Sequence, residues 1–175
     1  MATKKSMLVF FGILFIAAWV LGSATKIGAQ TMTMKCKYAT VVTKMETIPV
    51  SDAEGHTLSL YISEGLAFFE NGEIVKTRSH GYVDSSPGKG PELMGYFVFT
   101  FEDGSTIVNK FERRLQAEQS GRFSAKSTSE LIKGTGRFEG IKGTSSTIGK
   151  NFPASKSEPA RSSGDMTLTY TLPSK

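Results

Sequence analysis

Residues 95–111, GYFVFTFEDGSTIVNKF, indicate the fold class most directly. Phe97, Phe99 and Phe101 alternate with other residues before Asp103-Gly104, and a second β-prone run follows it. Alternation with a period of two predicts a strand, and Asp-Gly between two such runs predicts a type I′ hairpin. The stretch therefore predicts two adjacent antiparallel strands.

The same pattern recurs upstream. Residues 56–64, HTLSLYISE, place Leu58, Leu60 and Ile62 on one face and the intervening residues on the other. Gly65 then interrupts the run, which suggests a bulge or a sharp bend. Asn71-Gly72 predicts a second type I′ hairpin.

Eight strands and no helix of ordinary length are expected after the N-terminal segment. Residues 84–91 and 152–164 are rich in Ser, Pro, Gly or Lys and are predicted to be loops. Eight strands joined by hairpins favour a closed antiparallel β-barrel, since closure removes exposed edges, and a two-sheet sandwich is the alternative. The predicted strands span residues 31–46, 56–70, 73–83, 93–102, 105–114, 121–133, 143–150 and 164–173.

The N-terminal segment has the layout of a secretory signal. Lys4 and Lys5 precede the apolar run from Met7 to Gly22, and small residues follow. Cleavage after Ala24 or after Ala29 satisfies the small-residue preference. The predicted organisation is a signal peptide, residues 1–29, and one barrel domain, residues 30–175, exported to the periplasm or the medium. An uncleaved membrane anchor is the alternative, although the run is short for a membrane span.

Composition excludes several classes of protein. The chain of 175 residues is 39% hydrophobic, which fits a folded protein, and its single Cys, Cys36, excludes an internal disulfide. The net charge of +5 falls to +2 once the three lysines of residues 1–29 are removed. The basic precursor therefore gives no reason to expect nucleic-acid binding.

The stretch Gly134–Gly143, GTGRFEGIKG, matches neither glycine-rich phosphate-loop spacing. Its glycines instead allow tight turns around one helical turn, with Phe138 plugging the end of a barrel. The stretch resembles the glycine signature of the allene oxide cyclase-like barrels, and plant dirigent proteins carry a similar one. The strand and hairpin over residues 95–106 also look like small exported bacterial members of that group.

This resemblance implies an all-β fold, an eight-stranded antiparallel barrel of the calycin or allene oxide cyclase-like type, with a central cavity and assembly as dimers or trimers. Characterised members of the group cyclise an unstable epoxide, steer radical coupling or perform ring-forming reactions, mostly by shaping an apolar cavity. The resemblance assigns no catalytic residue in this chain.

The sequence contains few recognisable catalytic or metal-binding motifs. The chain has no G-x-S-x-G elbow, and its two histidines, His56 and His80, lack metal-ligand spacing. We therefore expect no metal and no cofactor, and a hydrolase is disfavoured.

Two strands supply candidate ligand-binding residues. One face of the third strand carries a polar row, Lys76, Arg78, His80 and Tyr82, and the other face carries small or apolar residues. The row is solvated if the small face lines the lumen, and Arg78 and His80 bind an anionic group if the row faces inward beside a carboxylate such as Glu64. The fourth strand is apolar on both faces, which suggests that its Phe residues line the interior and that its other face meets a neighbouring subunit or the long loop. The candidates are Tyr61, Glu64, Arg78, His80, Tyr82, Tyr96, Phe97 and Phe99.

The sequence thus favours an exported barrel that binds a small apolar or amphipathic molecule in its lumen. A cyclase or isomerase of the allene oxide cyclase-like type is the first alternative, and a structural or interaction protein with a filled barrel is the second. The expected partners are a small hydrophobic ligand and further copies of the chain.

Overall fold

The computed structural model describes residues 30–118 and 121–174, which form one antiparallel sheet. Eight long strands are present, as the sequence predicts, with one additional strand of two residues, β6. A single 3-10 turn, Gly136–Phe138, lies between β7 and β8. The strands are β1 Met32–Pro49, β2 Thr57–Phe69, β3 Ile74–Ser85, β4 Glu92–Thr100, β5 Thr106–Arg114, β6 Gln116–Ala117, β7 Phe123–Thr135, β8 Lys142–Phe152 and β9 Arg161–Thr171.

The sheet closes on itself. The strand order is β5-β4-β3-β2-β1-β9-β8-β7-β6, and β5 also pairs with β7, from Thr106 opposite Thr135 to Lys110 opposite Glu130. The eight long strands therefore form a closed barrel, which confirms the predicted fold class and excludes the open sandwich.

The two predicted hairpins are present, but their turns are one residue longer than a two-residue type I′ turn. In each, a backbone hydrogen bond closes a three-residue loop. Phe69, the last residue of β2, donates its N–H to Glu73 O, and Phe101, directly after β4, donates its N–H to Ser105 O. Gly72 and Gly104 follow with φ of 89° and 79°. This arrangement is that of a type I turn followed by a glycine bulge, which joins antiparallel strands equally well.

The expectation of a bulge at Gly65 is wrong. Strand β2 pairs without interruption there, with Gly65 opposite Thr40 on β1 and Thr77 on β3. A Cβ atom at Gly65 would overlap the carbonyl oxygen of Ala39, so close backbone approach explains the glycine. The register shift lies on the neighbouring strand, between Val42 and Lys44.

The last strand begins earlier than predicted. Arg161–Ser163 extend β9 because they pair with Ala39–Val41 on β1 and with Lys150–Phe152 on β8. The connecting loop is therefore restricted to residues 153–160.

Aromatic side chains fill the barrel core at the end that carries the 3-10 turn. Phe138 is 3% exposed there and packs on Phe101 and Tyr170, with ring centroids 4.7 and 6.2 Å away. Phe69 and Phe99 continue the cluster. The glycine-rich stretch thus closes one end of the barrel with Phe138, as the sequence predicts.

The predicted signal peptide lies outside the described residues. Within residues 30–118 and 121–174, no helix has the length and apolar character that crossing a bilayer requires.

Candidate functional site

A cavity of about 280 Å³ occupies the barrel lumen between the aromatic cluster and the opposite end. That opposite end, the mouth, is bordered by Pro91 and by Pro153, Ala154 and Ala160 at the two ends of the β8–β9 loop. The walls combine aromatic and aliphatic side chains with many hydroxyl groups. The hydroxyl side chains are Thr40, Ser59, Ser63, Ser79, Ser85, Ser127, Ser129, Thr147 and Ser162, besides two tyrosines.

Strand register places the lining in layers. Ser63, Ser79, Phe97 and Asn109 lie side by side on β2 to β5 and form the deep layer of one wall. The inward residues at the mouth are Ser59, Val83, Leu93 and Arg113, again side by side on the same four strands. A hydroxyl-rich floor therefore faces a mouth that carries a cation.

Between these layers the wall is thin. Tyr61 is opposite Gly81, which is opposite Gly95 on β4. The Tyr61 ring lies against Gly81, where a Cβ atom would come within 3.1 Å of its hydroxyl oxygen. Tyr38 lies in the same manner against Gly149 on β8, with its hydroxyl oxygen 2.6 Å from the position of a Cβ atom. The glycines thus make room for two tyrosine side chains that line the lumen.

Burial raises the pKa of Tyr61, whereas the hydrogen bond with Ser79 and the guanidinium of Arg113 act in the opposite direction. Its phenol therefore remains protonated at neutral pH and can donate a hydrogen bond.

Five buried polar atoms lack a hydrogen-bond partner within the described part of the chain; one of them, Thr77 Oγ1, lies outside the cavity lining, and the other four belong to it. These four are Asn109 Oδ1, Tyr38 OH, Arg113 Nε and Asn151 Nδ2. Asn109 is 1% exposed, and its Nδ2 donates to Ser145 Oγ over 2.6 Å. Because buried polar atoms are rarely left unpaired, these four define positions where a ligand or water would be bound.

Arg113 is the cation of the lumen that has no ion pair among the described residues. Its guanidinium lies 5.1 Å from the Phe111 ring centroid. The second lining arginine, Arg161, pairs with Glu158 at the surface. Within residues 30–118 and 121–174, the cavity lining includes no Asp or Glu, so the interior carries an excess of positive charge.

The predicted ligand-binding residues divide between the two faces of the barrel. Tyr61 and Phe97 line the cavity, and Phe99 is fully buried in the aromatic cluster below it. Glu64, Arg78, His80, Tyr82 and Tyr96 instead lie on the outer face, where Glu64 pairs with Arg78 at 3.4 Å.

The polar row of β3 lies on the outer face because alternate residues of this strand point to opposite sides of the barrel wall. Val75, Thr77 and Ser79 are buried in the interior, so the charged residues between them point outward. The inward orientation of the Lys76–Tyr82 row is therefore excluded, and the solvated orientation is the one observed.

The outer face of the same strands carries a shallow apolar groove. Leu60 and Tyr96 are 60% and 46% exposed, and Ile62, Tyr82 and Met94 lie with them over Gly81 and Gly95. Tyr82 OH donates to Met94 Sδ over 2.7 Å. This groove is separated from the lumen by the thin wall described above.

Sequence reasoning missed four lumen residues, namely Tyr38, Asn109, Arg113 and Asn151. A signal for two of them was present on β5, where Asn109 and Arg113 share the parity of the apolar Ile107 and Phe111. A polar side chain on an apolar strand face either bonds internally or meets a ligand.

The described residues form no group of three or more His, Cys, Asp or Glu side chains that could hold a metal ion. His56 lies instead at the mouth end, between two carboxylates. Its Nδ1 is hydrogen-bonded to Asp52 Oδ1 at 2.6 Å, and its Nε2 to Asp84 Oδ1 at 3.0 Å.

An antiparallel barrel that is plugged at one end and holds a cavity at the other is the class of structure that these features define. Its fold is that of the dirigent and allene oxide cyclase-like barrels. The pterocarpan synthase dirigent protein GePTS1 superposes with a TM-score of 0.50 and 16% identity, covering 86% of this chain and 96% of that one. The pterocarpan synthase dirigent protein PsPTS1 gives a TM-score of 0.50 and 16% identity, covering 83% and 97%.

No family model and no curated protein sequence matches this chain. At 16% identity, the structural likeness concerns the fold alone.

Proposed function

We propose that the protein binds one small apolar or amphipathic molecule in the barrel lumen. The observation that carries this proposal is the cavity of about 280 Å³, lined by aromatic rings and hydroxyl groups and containing buried polar atoms without partners. Ligand sites are typically concave, mostly apolar and equipped with a few convergent polar groups. A barrel of this size either fills its interior with side chains or encloses one ligand.

The cavity also argues against the filled-barrel alternative. Side chains fill the lumen at the Phe138 end, but serine and threonine occupy the central positions where larger residues would close it. A purely structural barrel gains stability from filling such space, because each cavity costs packing energy.

Binding can be tested with N-phenyl-1-naphthylamine, an uncharged fluorescent probe of apolar cavities. Ser127 lines the cavity, so Ser127→Phe should reduce probe affinity by filling part of it. Ser146→Phe introduces the same ring on the outer face of the neighbouring strand β8 and should leave the affinity unchanged. Equal affinity in both variants, each shown folded by circular dichroism, would place the probe outside the lumen and contradict the proposal.

The natural ligand can be sought directly. Native mass spectrometry of protein purified from its own host reports the mass of a co-purified molecule, the oligomeric state and the N-terminal residue in one measurement. A mature chain that starts after Ala24 or Ala29 supports the proposed export, whereas retention of residues 1–29 supports the membrane-anchored alternative.

A cyclase or isomerase is the second candidate function. Tyr61 favours it, because a buried phenol that remains protonated beside Ser79 can donate a proton or hydrogen bond to a reacting oxygen. The dirigent proteins of similar fold are pterocarpan synthases. Tyr61→Phe should then abolish turnover of a candidate substrate while preserving its binding.

Self-association into dimers or trimers is also proposed. The exposed apolar side chains of the outer groove, led by Leu60 and Tyr96, support it, since soluble monomers rarely expose large contiguous apolar patches. Leu60→Glu should lower the mass measured by light scattering, and an unchanged mass would exclude this groove as the interface.

A further inference from the structure

The four unpartnered polar atoms of the lumen differ in hydrogen-bond character from one end of the cavity to the other. At the mouth, Arg113 Nε and Asn151 Nδ2 are both donors, and Arg113 carries a permanent positive charge. In the deep layer, Asn109 Oδ1 is an acceptor. Tyr38 OH, which lies against Gly149 between the two layers, can act in either role.

The charge at the mouth is uncompensated. Among the described residues, Arg113 has no ion pair, and no acidic side chain contributes to the cavity lining. Arg161 is already neutralised by Glu158. An arginine in such surroundings is best satisfied by an anionic oxygen, because its fork of donors matches a carboxylate.

In the deep layer, by contrast, the unpartnered atom is an acceptor that lacks a donor. Asn109 is fixed by its Nδ2 bond to Ser145, so its Oδ1 can receive a hydrogen bond only from something else. At 1% exposure the amide is shielded from bulk solvent. A hydroxyl group of a bound molecule would supply the missing donor.

The spacing of these two ends sets the length of the molecule. Asn109 and Arg113 lie on the same face of β5 four residues apart, which corresponds to about 13 Å along the strand. The aromatic and aliphatic wall between them includes Phe97, Phe111 and Leu93. The side chains themselves occupy part of this distance, so a flat body of about two fused rings fits between the polar ends.

On the basis of the proposed lumen binding, we infer that the ligand is a hydroxylated organic acid, with its carboxylate at Arg113 and Asn151 and its hydroxyl group at Asn109. This orientation gives Asn109, Arg113 and Asn151 a partner with a single molecule. It also explains why the cavity combines a cationic mouth with an uncharged, hydroxyl-rich floor.

Three matched probes test the two ends separately. We choose 6-hydroxy-2-naphthoate, which carries both groups, 2-naphthoate, which lacks the hydroxyl, and 2-naphthol, which lacks the acid. Binding is measured by calorimetry on the full barrel. The hydroxy acid should bind at least about tenfold more tightly than either single-group probe, since each lost partner leaves a buried polar group unpaired.

Variants assign each preference to its residue. Arg113→Met should remove the advantage of 6-hydroxy-2-naphthoate over 2-naphthol, and Arg113→Lys should restore part of it by restoring the charge. Asn109→Leu should remove the advantage of 6-hydroxy-2-naphthoate over 2-naphthoate. Arg78→Met, on the outer face, is the matched control and should bind all three probes as the wild type does.

The outcomes separate this inference from the proposal on which it rests. If no probe binds, or if Ser127→Phe does not weaken probe binding, lumen binding itself fails. If the probes bind in the lumen with equal affinity, or if Arg113→Met retains the preference for the acid, the lumen remains a binding site but the hydroxy-acid inference is overturned.

Discussion

The amide of Asn109 on β5 donates a 2.6 Å hydrogen bond to Ser145 on β8, two strands that are not neighbours in the sheet. Both residues are at most 1% exposed. The bond passes over β7 inside the barrel and therefore ties together parts of the wall that the backbone ladder does not join directly.

This bond should be measurable by a double-mutant cycle. Asn109→Ala and Ser145→Ala should each lower the free energy of unfolding, and the two effects should be coupled by about 1 kcal/mol. Asn109→Ala combined with Ser146→Ala, an exposed outer-face serine, should show additive effects. Additivity in the first pair, measured by urea unfolding, would mean that the bond contributes nothing to stability.

Phe138 should dominate the stability of the closed end. It is 3% exposed and contacts Phe101 and Tyr170, so Phe138→Ala should cost about 3–5 kcal/mol through lost burial and a new cavity. Phe68→Ala makes the same change at a residue that is 47% exposed on the outer face and should cost much less. Similar losses for the two variants would exclude a special role for the plug.

Arg137 connects the 3-10 turn to both hairpins. Its guanidinium contacts Glu73 at 2.5 Å and Asp103 at 3.6 Å and lies 4.6 Å from the Phe101 ring centroid. Because these interactions are partly solvated, Arg137→Met should cost only about 1–2 kcal/mol. Lys37→Met breaks a fully exposed pair with Asp165 and should give no measurable change in the same unfolding experiment. A loss no greater for Arg137→Met than for this control would contradict the prediction.

Stability should depend on pH through His56. Hydrogen bonds to Asp52 and then Asp84 raise the pKa of His56 above its ordinary 6.5, so its contribution is complete below that value and is lost as pH rises through the raised pKa. The pKa of Asp52 is lowered by the same contact, and its contribution is lost only as the solution becomes strongly acidic.

The melting temperature should therefore fall more between about pH 5.5 and pH 8.5 in the wild type than in His56→Gln. His80→Gln removes the other histidine from an exposed position on the outer face and should preserve the wild-type slope. An identical slope in wild type and His56→Gln would show that the contacts of His56 do not contribute.

Cys36 should resist thiol reagents in the folded protein. Burial, and to a lesser degree the charge of Asp165, raises the pKa of its thiol to about 12. At pH 8 only about one thiol in ten thousand would be ionised. Labelling by a disulfide reagent should become rapid only in denaturant, whereas Ser157→Cys on the exposed β8–β9 loop should provide a second thiol that reacts at once. Equal rates at the two sites in the native protein would contradict the burial of Cys36.

The strands could be predicted because their information is local. Alternation over residues 56–64 and the Asn71-Gly72 and Asp103-Gly104 pairs each lie within a few consecutive residues. Which face points inward could not be predicted from these signals. On β2 the serines Ser59 and Ser63 face the lumen, while Leu60 is exposed, so the apolar face is the outer one.

The inability to predict which strand face points inward also explains why only some of the predicted site residues line the lumen. Tyr61 and Phe97 belong to faces whose parity matches the lumen, whereas Arg78 and His80 belong to the opposite parity of β3. The pairing of Asn109 with Ser145 requires knowledge of which strands surround the lumen, and that depends on the β5–β7 closure. Local sequence carries no direct record of contacts between residues so far apart along the chain.

Ring closure also constrains when the molecule can fold during synthesis. Strand β1 pairs with β9, so the partner that Cys36 meets at Met166 is synthesised long after Cys36 itself. The nascent chain must hold β1 with one ladder unsatisfied until β9 has emerged, and topologies dominated by such distant contacts fold slowly. Closure of the barrel therefore waits for β9, and the unpaired edge of β1 is exposed until then.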